Sequence, residues 1–330
     1  MNASGLEQAP FDAADRVVGK VSVPGPANAR TWSVEPGDLP GLASRAEAAG
    51  WRFASLVADA EPADEPARLD YAFRAPGEPR PVVLRTRSRG EVPSIARTFP
   101  GACWAEREVR DLFGVAFSGM PDDRPLVHHS DWPGGLCQMR PGEKLELPVE
   151  RQPGEFPYNR VDGEGVMEIR VGPIHAGIIE PGHFRFSAIG ELVVSVEARL
   201  FYVHRGLEQR AAGMTPAAAL VLAERVSGTS AVGHSLAAAR ALEAALGVEI
   251  APQHAALRML LLELERFYNH VADLGNLCAG TAMTGLLAEG FVLKERLWEA
   301  NAALTGNRQL RGLVGFGGAR RSPSRAALEA

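Results

Sequence analysis

The chain has 330 residues, 46% of them apolar and 23% charged, enough to bury a core in each of two ordinary domains without disulfides. A net charge of -5, with 35 Lys and Arg interleaved among 40 Asp and Glu, excludes the basic stripe that neutralises nucleic-acid phosphates. The cysteines, Cys103, Cys137 and Cys278, lie far apart with no paired spacing, which fits a reducing compartment.

Residues 1–14 are polar and acidic and are expected to be disordered; they lack the basic and apolar regions of a secretory leader. No apolar run approaches the ~20 residues needed to span a bilayer, so a cytoplasmic protein that meets the membrane only through partners is expected. From 15 to 131 the pattern predicts strands at 16–23, 51–57, 69–73 and 82–87 and a helix at 40–49, a small α/β unit with an antiparallel sheet. It closes with a charged stretch, 104–117, that ends in the apolar turn Leu112-Phe113-Gly114-Val115. His128 and His129 are adjacent on an extended segment and point apart, so no metal is assigned to them.

From 132 to 164 the composition turns to Pro, Gly and charge, as in Trp132-Pro133-Gly134-Gly135, which reads as a linker or extended segment. From 165 to 330 strands at 166–171 and 191–202 precede helical periodicity at 216–246, 253–280 and 284–305, with Thr215 before Pro216 as an N-cap. The whole is α+β, a mainly helical second domain following a smaller mixed one. Gly315-Phe316-Gly317-Gly318 follows a helix rather than a strand, so direct nicotinamide binding is not expected, even if the parent complex uses NAD.

Five groups of residues carry a family resemblance. Ala105-Glu106-Arg107-Glu108-Val109-Arg110-Asp111-Leu112-Phe113-Gly114-Val115, continued by Arg124-Pro125-Leu126 and Asp131-Trp132, resembles the signature of the complex I 30-kDa subunit. Val171-Gly172-Pro173-Ile174-His175, Glu180-Pro181-Gly182-His183-Phe184-Arg185 and Tyr202-Val203-His204-Arg205-Gly206-Leu207-Glu208 resemble the complex I 49-kDa subunit and the large subunit of energy-converting nickel–iron hydrogenases. So does Glu263-Leu264-Glu265-Arg266-Phe267-Tyr268-Asn269-His270. The order of fusion favours the formate-hydrogenlyase type. Arg311-Gly312-Leu313-Val314 resembles a segment well inside the family's large subunit, so the second domain is expected to be partial.

The resemblance implies a metal-binding loop at Glu224-Arg225-Val226-Ser227-Gly228-Thr229-Ser230, with cysteines at the two serine positions and a histidine at His234. A thiolate forms readily beside a metal and is soft enough for nickel and low-spin iron; a serine hydroxyl is neither. A nickel–iron centre is therefore not expected, nor any cofactor bound directly. The complex I branch implies a quinone pocket with a histidine at His175 and a tyrosine where Gly228 stands.

Placed on a helix, Ser227, Ser230 and His234 share one face, which suggests an acceptor cavity formed by Arg225, Ser227, Gly228 and Ser230 with His175 and His234 as proton carriers. The alternative is that these small residues allow close helix packing and that His234 is an interior histidine, with His175 an ordinary turn histidine. Glu208 is a third proton-carrying candidate if buried, against a surface role in a first helical turn. His183 reads as structural, and Glu263, Glu265, Arg266 and His270 read as salt-bridging residues of one helix. The function implied is a peripheral-arm subunit of a membrane-bound oxidoreductase. Its partners would be an iron–sulfur small subunit and antiporter-like membrane subunits, and its acceptor one such as quinone. A silent scaffold of such a complex and a hydrogenase with unusual ligands are the alternatives.

Overall fold

A computed structural model describes residues 29–59, 66–78, 80–140, 150–175 and 180–321. They form two compact units that divide between Arg205 and Gly206. The tail 1–14 and the expected strand at 16–23 lie outside the described residues.

The first unit opens with β1 (Arg30–Ser33), a 3-10 turn and α1 (Leu39–Ala48), followed by β2 (Arg52–Asp59), β3 (Ala67–Arg74) and β4 (Val82–Ser88). Strand order is β1-β4-β3-β2. The sheet is mixed rather than antiparallel, because β1 runs parallel to β4 while the other pairs are antiparallel. Its short, half-exposed sequence Arg-Thr-Trp-Ser carries too little alternation to be seen as a strand. Leu69, Tyr71 and Phe73 alternate inward from β3 onto Leu39, Leu42 and Ala46 of α1 and make the core.

Short strands β5 (Val92–Pro93) and β6 (Phe117–Ser118) pair in parallel around α2 (Ala102–Phe113). The charged stretch 104–117 is thus largely a helix, and several of its charges face inward. Glu106 is buried and accepts from the Ile95 N–H at 2.9 Å and the Ser94 hydroxyl at 2.5 Å. Asp111 accepts from the N–H groups of Leu126 and Val127 at 2.7 and 2.9 Å, and Arg107 reaches Asp122 and the Arg124 carbonyl. Buried charges are tolerated where every polar group finds a partner, and here the partners are the backbone of 94–128.

Strands β7 (Val166–Val171), β8 (His183–Ile189) and β9 (Leu192–Arg199) form an antiparallel sheet in order β7-β8-β9. The sequence pattern groups this sheet with the helices, yet it lies in the first unit. Arg199 at the end of β9 is 3% exposed and donates to the carbonyls of Pro125, Leu126 and His128. Arg124 pairs with Glu197 at 2.6 Å, and Asn159 donates to the same carboxylate at 2.8 Å. The described residues of the Pro- and Gly-rich stretch, 150–164, have no helix or strand, but Phe156 and Pro157 lie across these arginines.

The second unit is helical: α3 (Leu207–Ala211), α4 (Pro216–Ala223), α5 (Ala231–Leu246), α6 (Pro252–Gly280) and α7 (Thr284–Thr305), then the hairpin β10 (Val314–Gly315) and β11 (Gly318–Ala319). Thr215 caps α4 by accepting from the Ala218 N–H. The periodicity over 216–246 is interrupted, not continuous: residues 224–230 form a loop between α4 and α5. Helices α6 and α7 cross closely at Gly275 and Gly290, where a Cβ on Gly290 would come within 2.8 Å of the Gly275 Cα. The core comprises Leu220, Val232, Ala239, Leu261, Tyr268, Leu310, Leu313 and Val314.

Arg258 of α6 ties the hairpin to the bundle. Its guanidinium, 2% exposed, is gripped bidentately by Glu243 of α5 at 2.6 and 2.8 Å and also donates to the carbonyls of Gly315 and Gly318. Burial alone would raise the Glu243 carboxyl. The bonds from Arg258 and the Gly317 N–H, with the nearby positive charges, outweigh it and hold the carboxyl below its ordinary range. Glu243→Gln strands a buried guanidinium and is expected to cost about 3–5 kcal/mol in urea denaturation of the chain at neutral pH. Because the folded value is lowered, this stabilisation is present above the ordinary carboxylate range and fades as pH falls through the folded value, so the gap between wild type and variant closes in acid.

Candidate functional site

Residues 224–234 form a loop and the first turn of α5, and their shape is set from α6 and from the chain after α7. Ser230 occupies the N-cap position of α5, but its side chain makes no capping bond. Glu265 of α6 does the capping instead: it accepts from the Val232 N–H at 2.6 Å and the Gly233 N–H at 2.8 Å. Gly233 leaves room for this, since a Cβ there would sit 3.1 Å from the Glu265 Oε1. One turn further on, Tyr268 Oη and Asn269 Nδ2 both donate to the Thr229 carbonyl at 2.6 and 2.9 Å. Arg311 donates to the Gly228 carbonyl at 3.2 Å, and buried Glu224 accepts from the Gly312 N–H at 2.7 Å.

Two expectations change here. Ser227 and Ser230 do not project from a helical face with His234, because only His234 is helical; the Ser-Gly-Thr-Ser run favours a loop whose backbone bonds go to neighbouring elements. Glu265 is not a surface salt-bridge partner. Glu263 and Arg266 do pair, at 3.3 Å on the exposed face, whereas Glu265 is 4% exposed and turns to α5. Its carboxyl is raised by burial against the opposing pull of the two N–H groups and His234. Burial, with the Glu265 charge added, also pushes the Tyr268 phenol up.

Ser227, Ser230 and His234 are half-buried; Arg225 and Gly228 are exposed. The two serines offer hydroxyl oxygens where the hydrogenase resemblance places thiolates, and that donor set does not fit a nickel–iron centre. What the loop does offer is hydrogen bonding: two hydroxyls, an imidazole and the Arg225 guanidinium on a backbone fixed at Gly228, Thr229, Val232 and Gly233.

His175 and His234 belong to different units, His175 to the first and His234 to the second. The His175 Nε2 donates to the Gly182 carbonyl at 2.7 Å, and its ring lies beside Phe184. His183 holds the same turn: its Nδ1 donates to the Gly172 carbonyl at 3.2 Å while Arg185 donates to its Nε2. At Gly172, with φ +78°, a Cβ would fall 2.1 Å from the Gly182 oxygen, so the turn requires glycine. Glu208 is exposed in the first turn of α3, without the burial a proton-carrying role needs. His128 bonds to Gln138 and stacks on Trp132, and His129 donates to the Leu200 carbonyl, so the two rings do point apart. Among the described residues no helix is long and apolar enough to cross a membrane.

Comparison with known proteins agrees with this two-part construction. Residues 33–144 match the family described as the 30 Kd subunit of respiratory-chain NADH dehydrogenase, and 205–279 match the nickel-dependent hydrogenases. The chain is 35% identical over 236 residues to hydrogenase-4 component G of Escherichia coli (strain K12), a span of 70% of this chain and 42% of that protein. It is 35% identical over 243 residues to formate hydrogenlyase subunit 5 of the same organism, 71% of this chain and 42% of the relative. To the C/D component of an NADH-quinone oxidoreductase from Phocaeicola vulgatus it is 29% identical over 248 residues, 70% of this chain and 48% of that one. The chain thus spans less than half the length of these relatives. It fuses a region of the complex I 30-kDa type to a region of the nickel-dependent hydrogenase type, on an α+β fold.

Glu265 provides the test of the loop's support. Glu265→Gln has one carbonyl oxygen for two N–H groups and is expected to cost about 1–3 kcal/mol, read by urea denaturation. The folded value of Glu265 is raised, so its contribution is complete below the ordinary carboxylate range and is lost as pH rises through the folded value. The penalty of the variant therefore shrinks over that window towards neutral pH.

Proposed function

We propose that the chain is the peripheral-arm subunit of a membrane-bound oxidoreductase complex related to complex I and the energy-converting hydrogenases. In this reading an iron–sulfur partner subunit delivers electrons to an acceptor such as quinone, held against the 224–234 loop. Antiporter-like membrane subunits couple the reaction to ion movement, and the complex places this chain on the cytoplasmic face. The observation that carries the reading is the loop itself: its backbone is held by α6 and Arg311, His234 and Arg225 flank it, and hydroxyls replace the thiolates. Such a site binds a carbonyl-bearing acceptor by hydrogen bonds and leaves the electron chemistry to the partner's cluster.

Reduction of a quinone takes up protons with electrons. An imidazole can both accept and donate a proton, a task His234 would perform at the loop and His175 at the turn of the first unit. Ser227 and Ser230 orient the headgroup, with Gly228 leaving space where the complex I resemblance implies a tyrosine. The division into a 30-kDa-like region at 15–131, a connecting segment at 132–164 and a large-subunit-like region at 165–330 belongs to this reading; the sheet β7-β8-β9 would then be the part of the large-subunit-like region that lies within the first unit.

A second reading is favoured by specific contacts. The His175 ring is already bonded to Gly182, and Glu208 is exposed, as expected of a scaffold that joins subunits without handling protons.

Purification of the native complex distinguishes them. His175→Ala combined with His234→Ala is expected to cut quinone-dependent turnover by about 100-fold or more with the complex still assembled. Unchanged turnover would leave only the scaffold, and stoichiometric nickel in elemental analysis would restore the hydrogenase with unusual ligands.

A further inference from the structure

The first unit contains a cleft of about 750 Å³ that His175 does not line. Its walls carry four arginines, Arg160, Arg170, Arg185 and Arg199, against two carboxylates, Asp131 and Glu155. Asp131 is already paired with Arg151 at 2.5 Å, and Arg170 and Arg185 share the single carboxylate of Glu168, at 2.7 and 3.7 Å. Arg199 is buried and donates to three backbone carbonyls; none of these bonds goes to a carboxylate. Its charge is therefore fixed in the cleft wall, bonded to backbone dipoles, with Asp111 the carboxylate that acts on it from nearby.

Aromatic faces align these groups. The Arg185 guanidinium lies 3.7 Å from the Tyr158 ring centre and that of Arg199 4.6 Å from Phe156. Stacking uses the face of a guanidinium; Arg199 has already turned N–H groups to three carbonyls and Arg185 its Nε–H to His183, so the edge offered to an anion is that of the terminal nitrogens of Arg185. Several converging forks match the multiple oxygens of a phosphoryl group better than a lone carboxylate, and the volume suits a ligand with a body beyond that group.

We propose that this cleft is a binding site for a phosphoryl anion, presented by a soluble phosphate ester or by an anionic phospholipid headgroup. Arg199 supplies the fixed charge, Arg185 an oriented fork, and the exposed Arg160 and Arg170 the capture of the incoming anion.

The test uses the full chain with inorganic pyrophosphate, and with phosphatidylcholine vesicles made with and without phosphatidylglycerol. Saturable binding of at least one anionic probe is expected, weakened by salt, reduced about tenfold by Arg160→Ala with Arg170→Ala, and tightened by Glu155→Gln. The tightening is a gain that misfolding cannot imitate. Binding of pyrophosphate alone identifies a soluble ester as the source; binding of phosphatidylglycerol vesicles displaced by pyrophosphate identifies the headgroup. Failure of both probes to bind, or affinities indifferent to all three substitutions, would overturn the proposal.

Discussion

The second unit is organised by one carboxylate standing in for a missing cap. Helix α5 begins without a side-chain bond from Ser230, and its first free N–H groups are met by Glu265 from α6. An uncapped helix start inside a core leaves donors unpaired at a cost comparable to a lost hydrogen bond each. Because the remedy comes from a different helix, the position of α5 relative to α6 and the path of the loop before it are fixed by the same contact. Tyr268 and Asn269, one turn along α6, continue that face and hold Thr229. The raised Glu265 carboxyl shows the balance: burial resists the charge that the two N–H groups and the positive end of α5 favour.

The first unit uses arginine in the complementary role. Where Glu265 collects backbone donors, Arg199 and Arg107 collect backbone acceptors from 122–128, a stretch without regular structure. Each guanidinium replaces several missing ladder bonds at once, which is how a segment with few strand bonds of its own keeps a defined path between α2 and β9. The exposed apolar residues of β7 and β9, such as Met167, Leu192 and Val194, lie on the same sheet that Arg199 anchors.

Periodicity makes the long elements legible. The range 284–305 read from apolar spacing coincides with α7, 166–171 with β7, and Thr215 caps α4 as the proline after it signals. What escapes is whatever depends on a partner distant in sequence. Strand β1 exists because β4 offers a parallel edge, and α2 hides behind charges that are satisfied 11 or more residues away. The break at 224–230 is masked by apolar residues on both sides, although Ser-Gly-Thr-Ser is a loop composition. Glu265 looks like its neighbour Glu263 because a helix face cannot be assigned to a charge until the packing partner is known. The cleft residues escape for the same reason: Arg160, Arg170, Arg185 and Arg199 are separated in sequence and share no motif.

The close fit of Gly233 beneath Glu265 has an energetic meaning for the loop as a whole. In small metal-dependent folds the ion supplies the free energy that shapes its own binding loop, and removing the ion unfolds it. Here the loop is shaped from α6, through a carboxylate, a phenol and an amide. Shape and ligand chemistry are therefore separable properties of this segment: the contacts that hold its frame use no side chain at 227 or 230.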